Sequence, residues 1–396
     1  MALVTLQTIF QEAFPAYEQT HPLPAHVRRA ARAIMRCRTA ALGGHVQACP
    51  DGHMSRIWYN SCRHRACPQG ASLQTERWLA LPRARLLACD HDHGILTLPH
   101  ALNPLWLANV SVMTTLLLQA VRDTLRTLLS DPKYLGAQPG ILAVRHTWSQ
   151  TLVLHPHVHC LGTGGGRTPP GSWVAVRNGF LLPARVGMAV FRGKMVAAIR
   201  QTLARGALAR PAPIRPQQVR NLLNRLGHPT QTKWHVRIME RYAPGAGVVT
   251  YLARDLRGGP IKNARLMAYD GDRVTVTSRA RQEEADAESA SPPRMPLPVA
   301  DLLQRWLLHV PVPQTRVVRA YRLYHPSHAA ALAACRTALG QAPLEVPRCL
   351  DWQTVCAQRG EGHPERCPTC GQRLVCTDVI PRGGAPPRIS SEACAA

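Results

Sequence analysis

The chain has 396 residues, 45% of them hydrophobic, enough to bury the cores of two or three domains and to exclude disorder throughout. Its 48 Lys and Arg outnumber 23 Asp and Glu, and a formal net charge of +25 repels itself unless a polyanion neutralises it, so nucleic acid is the expected partner. With no apolar run of ~18 residues and no signal peptide, a spanning helix is excluded and the cytoplasm is the expected compartment; 13 cysteines beside 18 histidines there indicate metal rather than disulfides.

Thr5 to Ala33 reads as helical, with Phe10, Phe14 and Tyr17 at core spacing. Cys37 to Gly70 then gathers Cys37, Cys49, Cys62 and Cys67 with His45, His53 and His64 among turn residues and few aliphatics. Such a segment cannot build much of a core, and zinc held by three or four of these side chains would supply on the order of 10 kcal/mol of folding free energy. Cys49, His53, Cys62 and Cys67 form the first ligand set, with Cys37 next. Arg56, Arg63, His64 and Arg65 give this module a basic face for DNA phosphates.

Trp78 to Cys89 reads as a helix and His91 to Leu98 as a strand, with His91 and His93 on one face. Leu105 to Leu129 is a long helix with an apolar stripe. Ile141 to Trp148 is a strand expected to turn at Ser149 and Gln150 and pair antiparallel with Leu152 to Leu161. The second strand carries His155, His157 and His159 at alternate positions, so three imidazoles share a face. Neutral imidazole is the commonest side-chain metal ligand, and the three together predict a divalent metal site, Mg²⁺ or Mn²⁺, the latter better suited to imidazole. The glycines of GTGGG after it would let a ligand approach closely, although their spacing matches no phosphate-binding fingerprint.

Trp173 to Leu182 reads as a strand, Met188 to Leu203 and Gln217 to Leu226 as helices, and Lys233 to Arg241 as a strand. Gly247 to Leu256 has a helical apolar face on which Tyr251 and Asp255, four apart, lie together, with Arg254, Arg257, Lys262 and Arg265 around them. A tyrosine hydroxyl beside such cations and a divalent ion suits attack on a DNA phosphodiester, since the cations help a group of pKa about 10 to ionise. Arg265 to Thr277 looks like a hairpin. Residues 281–298 are acidic and proline-rich and read as a linker, followed by helices from Val299 to Val310 and Ser327 to Leu339 around a basic aromatic run. In the tail, Cys367 and Cys370 form a CxxC pair, read as a small zinc ribbon completed by Cys356, His363 or Cys376.

At this point several motifs resemble one family. HPHVHCLGTGGG from His155 looks like the histidine-hydrophobic-histidine motif of the HUH endonucleases, and YLARDLRGGPIKNARL from Tyr251 resembles the tyrosine helix of the insertion sequence ninety-one family of rolling-circle transposases. LGGH, SCRHRACPQ, the TLP of Thr97 to Pro99 and the CPTCG of the tail extend the likeness, in order, over almost the whole chain.

The resemblance implies an α+β fold, an antiparallel sheet flanked by helices, with an N-terminal zinc-binding module and a small C-terminal zinc ribbon. The expected domains are a helix and zinc module over 1–85, the catalytic domain over 86–280, the linker over 281–298, and a helical C-terminal region with the zinc tail over 299–396. It implies a nucleoid-associated transposase that nicks and rejoins single-stranded DNA at transposon ends, with His157 and His159 holding the metal and Tyr251 linked to the 5′ phosphate. His155 or Asp255 would be the third ligand.

Two departures stand out. The family's second tyrosine, four residues after the first, is here Asp255, and its CPQC is here CPQG, ending at Gly70. They leave open a zinc-dependent DNA-binding protein impaired in catalysis. A histidine-triad nucleotide hydrolase fits the alternation from His155 to Leu161 but has no use for the charge or the cysteine clusters.

Overall fold

The computed structural model describes residues 4–177, 182–211, 214–243, 259–278, 293–358, 360 and 362–386, and the structural statements below concern these. The N-terminal helical region is two helices, α1 (Leu6–Thr20) and α2 (Ala25–Arg36), rather than one. Pro22 and Pro24 cause the break, because proline lacks an N–H and pushes the residue before it out of the helical region. α2 folds back so that its Val27, Ala30, Ala31 and Ile34 bury with Leu6, Ile9, Phe10 and Phe14 of α1.

Strands β1 (Gly44–Ala48) and β2 (Ser55–Tyr59) form a hairpin, followed by α3 (Ser72–Arg85) and β3 (His91–Thr97). Then come α4 (Asn103–Ala108), α5 (Val110–Leu129), β4 (Gly140–Trp148), β5 (Leu154–Thr163) and the short pair β6 (Gly165–Arg167) and β7 (Trp173–Ala175). Helices α6 (Ala184–Ala204) and α7 (Pro216–Gly227) lead to β8 (His235–Tyr242). A small sheet of β9 (Leu266–Tyr269), β10 (Arg273–Thr277) and β11 (Arg294–Pro298) precedes α8 (Val299–Leu307). The chain ends with β12 (Val318–Arg322), α9 (Ala329–Ala338), α10 (Trp352–Gln358) and β13 (Val375–Ile380).

The fold is α+β around a five-stranded antiparallel sheet in the order β12-β4-β5-β3-β8. Strand alternation sorts its two faces. Ile141, Ala143, Val158 and Cys160 pack with Leu117, Val121 and Phe191 of α5 and α6. Leu142, Val144 and Leu161 point the other way, toward Leu79, Leu87 and Tyr324. His157 and His159 alternate with Val158 and Cys160, so they share the face of Leu161.

Two boundaries differ from expectation. The region after 299 is not a separate helical unit, because β12 is an edge strand of the central sheet and β13 pairs with β1. Part of the expected linker, β11, is paired with β10. Edge pairing needs only free backbone donors and acceptors along a strand, which composition does not advertise.

The glycine run also serves packing. A Cβ on Gly165 would lie 2.6 Å from the Val174 carbonyl oxygen, and one on Gly166 would lie 2.8 Å from the Gln138 backbone. Close backbone crossing at the start of β6 is what excludes side chains there.

The connection from β4 to β5 spans residues 149–153, longer than the two-residue turn expected. Leu152 within it is fully buried with α1 and α8 and has φ 62, a left-handed conformation unusual for leucine. Three donors from two other segments fix the turn. The Arg265 guanidinium donates to the Gln150 carbonyl at 2.6 Å, Arg305 to that of Thr151 at 3.0 Å, and His309 Nε2 to that of Leu152 at 2.9 Å. His309 Nδ1 accepts from the Thr147 hydroxyl at 3.1 Å.

Two measurements follow from this turn. Leu152→Gly relieves ~1–2 kcal/mol of left-handed strain but removes a buried side chain worth ~2–5 kcal/mol, so urea unfolding should show net destabilisation. His309 is pushed down to about 4, chiefly by burial. Its stabilising contribution is therefore complete above the ordinary histidine value and is lost as pH falls toward 4, by about 1.4 kcal/mol per pH unit. His309→Gln should flatten the stability profile by one proton between pH 6 and 4.5; parallel profiles would contradict this.

Candidate metal centres

Three groups of side chains converge with metal-ligand geometry among the described residues. The first is Cys49, His53, Cys367 and Cys370, whose ligand atoms all lie within 4.8 Å of one another. Two similar turns present them, Cys49-Pro50-Asp51-Gly52-His53 and Cys367-Pro368-Thr369-Cys370-Gly371. Gly52 and Gly371 take φ 76 and φ 74, and the turns close with Gly52 N–H to the Cys49 carbonyl and Gly371 N–H to that of Cys367. Antiparallel pairing of β13 with β1 brings the two turns together.

Cys49 Sγ lies 3.5 Å from both His53 Nδ1 and Cys370 Sγ, close to the edge of a tetrahedron with Zn–S of about 2.3 Å. Hydrogen bonds from the backbone hold Cys367 down to about 6, as suits a thiolate. The tail therefore forms no separate ribbon. Its CxxC completes the N-terminal module, and Cys356, His363 and Cys376 are not part of the group.

The second group is Cys37, Cys62 and Cys67, so the sequence-based set of Cys49, His53, Cys62 and Cys67 is divided between two centres. Hydrogen bonds from Cys62 and Cys67 hold the Cys37 thiol down to about 3. Backbone N–H groups of Cys62, His64 and Gly70 point at the three sulfurs, at 3.3–3.5 Å. Gly70 stands at the remaining vertex: a Cβ there would lie 2.8 Å from Cys62 Sγ and 3.1 Å from Cys37 Sγ. Three thiolates with a glycine at the fourth position fit zinc with one vertex left to another ligand.

The third group is His146, His157 and His159. β4 and β5 place His146 directly opposite His157, and β5 adds His159 two residues on. His157 Nδ1 donates to the His155 carbonyl at 2.6 Å, which leaves the Nε2 lone pair free. His159 Nδ1 lies 2.9 Å from His93 Nε2, and its Nε2 is 3.1 Å from that of His157. The buried Nε2 of His146 has no hydrogen-bond partner. An orphaned imidazole nitrogen beside two lone pairs at roughly the edge length of a metal coordination sphere fits a divalent ion.

Burial keeps these rings neutral: His157 is lowered to about 4, His159 to about 2, and His146 well below the ordinary value. Arg145, buried over the Trp106 ring, adds fixed positive charge that also lowers His146 and His157. Neutral imidazoles are the ligand form. The cluster opens into a cavity of about 720 Å³, whose other walls include Trp148, Gln150, Lys262, Arg265 and Ser278.

His155 is not brought into this group. It lines the same cavity, but its Nδ1 is 2.8 Å from His100 Nε2. The ligand that sequence reasoning missed is His146. A two-residue turn would pair Trp148 with Thr151 and leave His146 away from His157; the five-residue connection and a bulge near Thr147 shift the register. Tyr251, Asp255, Arg254 and Arg257 lie outside the described residues. Arg265 is engaged with Gln150 and with the Thr277 carbonyl, at 2.7 Å for the latter. Arg63 is exposed and Arg65 half-buried.

Comparison with known proteins gives these centres their context. A family model described as "Transposase zinc-binding domain" matches residues 9–98, and one described as "Putative transposase" matches residues 140–331, from β4 into the first residues of α9. These define a DNA-processing protein with a zinc-binding module. The chain is 33% identical over 388 residues, 96% of each chain, to a Sinorhizobium fredii protein described as "Putative transposase y4qJ". It is 28% identical over 356 residues, 88% of this chain and 82% of the relative, to the transposase for insertion sequence element IS801 of Pseudomonas savastanoi pv. phaseolicola. The chain belongs to the insertion sequence ninety-one family of transposases. No solved structure matches it. No described helix is long and apolar enough to cross a membrane.

The thiolate geometry predicts two zinc ions per chain. Cys370→Ser should leave one, read as metal released to a chromogenic chelator, and Gly70→Cys should keep two while slowing release of one. Undiminished zinc in Cys370→Ser would show that the tail is not a ligand.

Proposed function

We propose that this transposase nicks and rejoins single-stranded DNA at the ends of its element by the HUH endonuclease route. The observation that carries the reading is the neutral His146, His157 and His159 cluster in a cavity walled by Lys262 and Arg265, which follow Tyr251 by 11 and 14 residues in the chain. In this reading those three histidines hold the divalent ion, in place of the His155, His157 and His159 set that spacing suggests. When bound, Mg²⁺ or Mn²⁺ supplies Lewis-acid polarisation of the scissile phosphate.

Tyr251 is the nucleophile. Its phenolate oxygen attacks phosphorus, the bond from phosphorus to the 3′ oxygen breaks, and that oxygen leaves as a 3′ hydroxyl after taking a proton from solvent. The 5′ phosphate is then held as a tyrosine ester, which keeps the bond energy for rejoining when a 3′ hydroxyl attacks in reverse. Arg254, Arg257 and Lys262 offset charge on the phosphate and favour ionised Tyr251. His93, hydrogen-bonded to His159, sets the tautomer of that ligand. Asp255 stands where a second nucleophile would act, so one strand is cleaved per Tyr251. The alternative of a DNA-binding protein impaired in catalysis draws on Asp255 and Gly70.

Incubation of the purified chain with labelled single-stranded DNA carrying an element end, in Mn²⁺ or EDTA, tests the reading. The expected result is a denaturation-resistant protein–DNA band that requires metal, disappears in Tyr251→Phe, and falls at least tenfold in His146→Ala, because that variant removes one of three ligands. A band that survives in Tyr251→Phe would refute the nucleophile. DNA binding with no band, and recovery in Asp255→Tyr, would establish the impaired alternative.

A further inference from the structure

Helix α2 presents a second feature that the metal centres leave unused. Its buried side, Val27, Ala30, Ala31 and Ile34, packs on α1, and its opposite side carries Arg28, Arg29, Arg32 and Arg36, all exposed. These four arginines line a groove of about 500 Å³ whose far wall reaches Leu42 and Cys62 of the zinc module. Arg28, Arg32 and Arg36 follow one another at intervals of four, so they form a single row spanning ~12 Å of helix axis. That row is as long as three to four nucleotide steps of ~3.4 Å along one strand.

Local physics does not favour this row. Like charges at i and i+4 destabilise a helix, and Arg28 sits at the end of the first turn, where the helix dipole disfavours cations. The helix contains no Asp or Glu to interleave with them. Among the described residues the row has one carboxylate partner, Glu18, 3.1 Å from Arg32, and Arg36 donates to the Ala41 carbonyl at 3.2 Å. A solvated helix face usually mixes both signs of charge. An unmixed cationic row in a groove, on a chain of net charge +25, is matched by a polyanion.

We infer that the arginine row of α2 is a docking groove for a DNA phosphodiester backbone, separate from the histidine cavity and independent of base sequence. The inference rests on the chain being a transposase and not on Tyr251 as the nucleophile. In the complex, Arg28, Arg32 and Arg36 each contact a backbone phosphate, releasing condensed counterions, while the zinc module holds the opposite wall of the groove in place. The charge-assisted fork of arginine suits this contact better than lysine would.

The test uses the full-length, zinc-loaded chain and Arg28→Gln/Arg32→Gln/Arg36→Gln, with Arg215→Gln/Arg220→Gln/Arg225→Gln, at the N-cap and along α7, as a control that removes the same charge elsewhere. Binding to a fluorescent 30-mer of arbitrary sequence, as duplex and as single strand, is followed against salt concentration. The α2 variant should lower the slope of log K against log salt by about 2–3 on the form of DNA that the groove holds, at ~0.9 per contact for duplex and ~0.7 for single strand. Loss on duplex alone assigns the groove to flanking duplex, loss on single strand alone to the cut strand, and loss on both to either; all three support it. An unchanged slope on both forms, with unchanged circular dichroism and zinc content, overturns the inference, as does an equal loss in the α7 control. At oligonucleotide concentrations that saturate the variant, covalent adduct should still form and still require Tyr251, so failure here is distinguishable from failure of the Tyr251 assignment.

Discussion

The turn between β4 and β5 is the constraint on which the histidine centre depends. Slipping an antiparallel register by one residue sends every side chain of a strand to the opposite face. A slip here would move His157 and His159 to the side packed by α5 and α6, away from the cavity they line with His146. A connection of five residues does not by itself fix one register. It is fixed because the carbonyls of Gln150, Thr151 and Leu152 are each held by a donor 115, 154 and 157 residues further along the chain. Leu152 then anchors the same turn in the core formed by α1 and α8. The core formed by α1 and α8 therefore sets geometry in the central sheet, which ties the stability of the N-terminal helices to the placement of His146.

Electrostatics in the sheet work by exclusion rather than pairing. His93, His146, His157 and His159 are buried with Arg145 nearby and with no carboxylate in their group, so the neutral imidazole is strongly favoured. An array of uncharged donors with one orphaned nitrogen is costly unless something accepts the lone pairs. The divalent ion proposed above would meet that need and would add charge complementary to DNA. The same logic governs the thiolates. The core beside Cys49 and Cys367 amounts to Leu374 and partly buried Met54, too little apolar surface to hold two hairpin ends together. Zinc substitutes for the missing core, and by drawing ligands from both ends of the chain it makes the tail part of the N-terminal module.

Much of this architecture is legible in order along the chain. The alternation around His157 and His159, the apolar stripe of α5 and the Cys-Pro turns at Cys49 and Cys367 are periodic or local patterns, and such patterns follow from bond geometry within a few residues. They determined that the chain is α+β, that histidines share one face of a strand, that cysteines are of the kind and number that suit metal, and that the charge calls for nucleic acid. Only the tertiary structure decided which of these residues meet. His146 rather than His155 joins the cluster, Cys49 and His53 join Cys367 and Cys370 rather than Cys62 and Cys67, and β12 joins the central sheet across the expected linker. Each of these depends on strand register or edge pairing between segments far apart in sequence. Their free energy comes from backbone hydrogen bonds and packing that any compatible side chains could supply, so no spacing within a single segment encodes them.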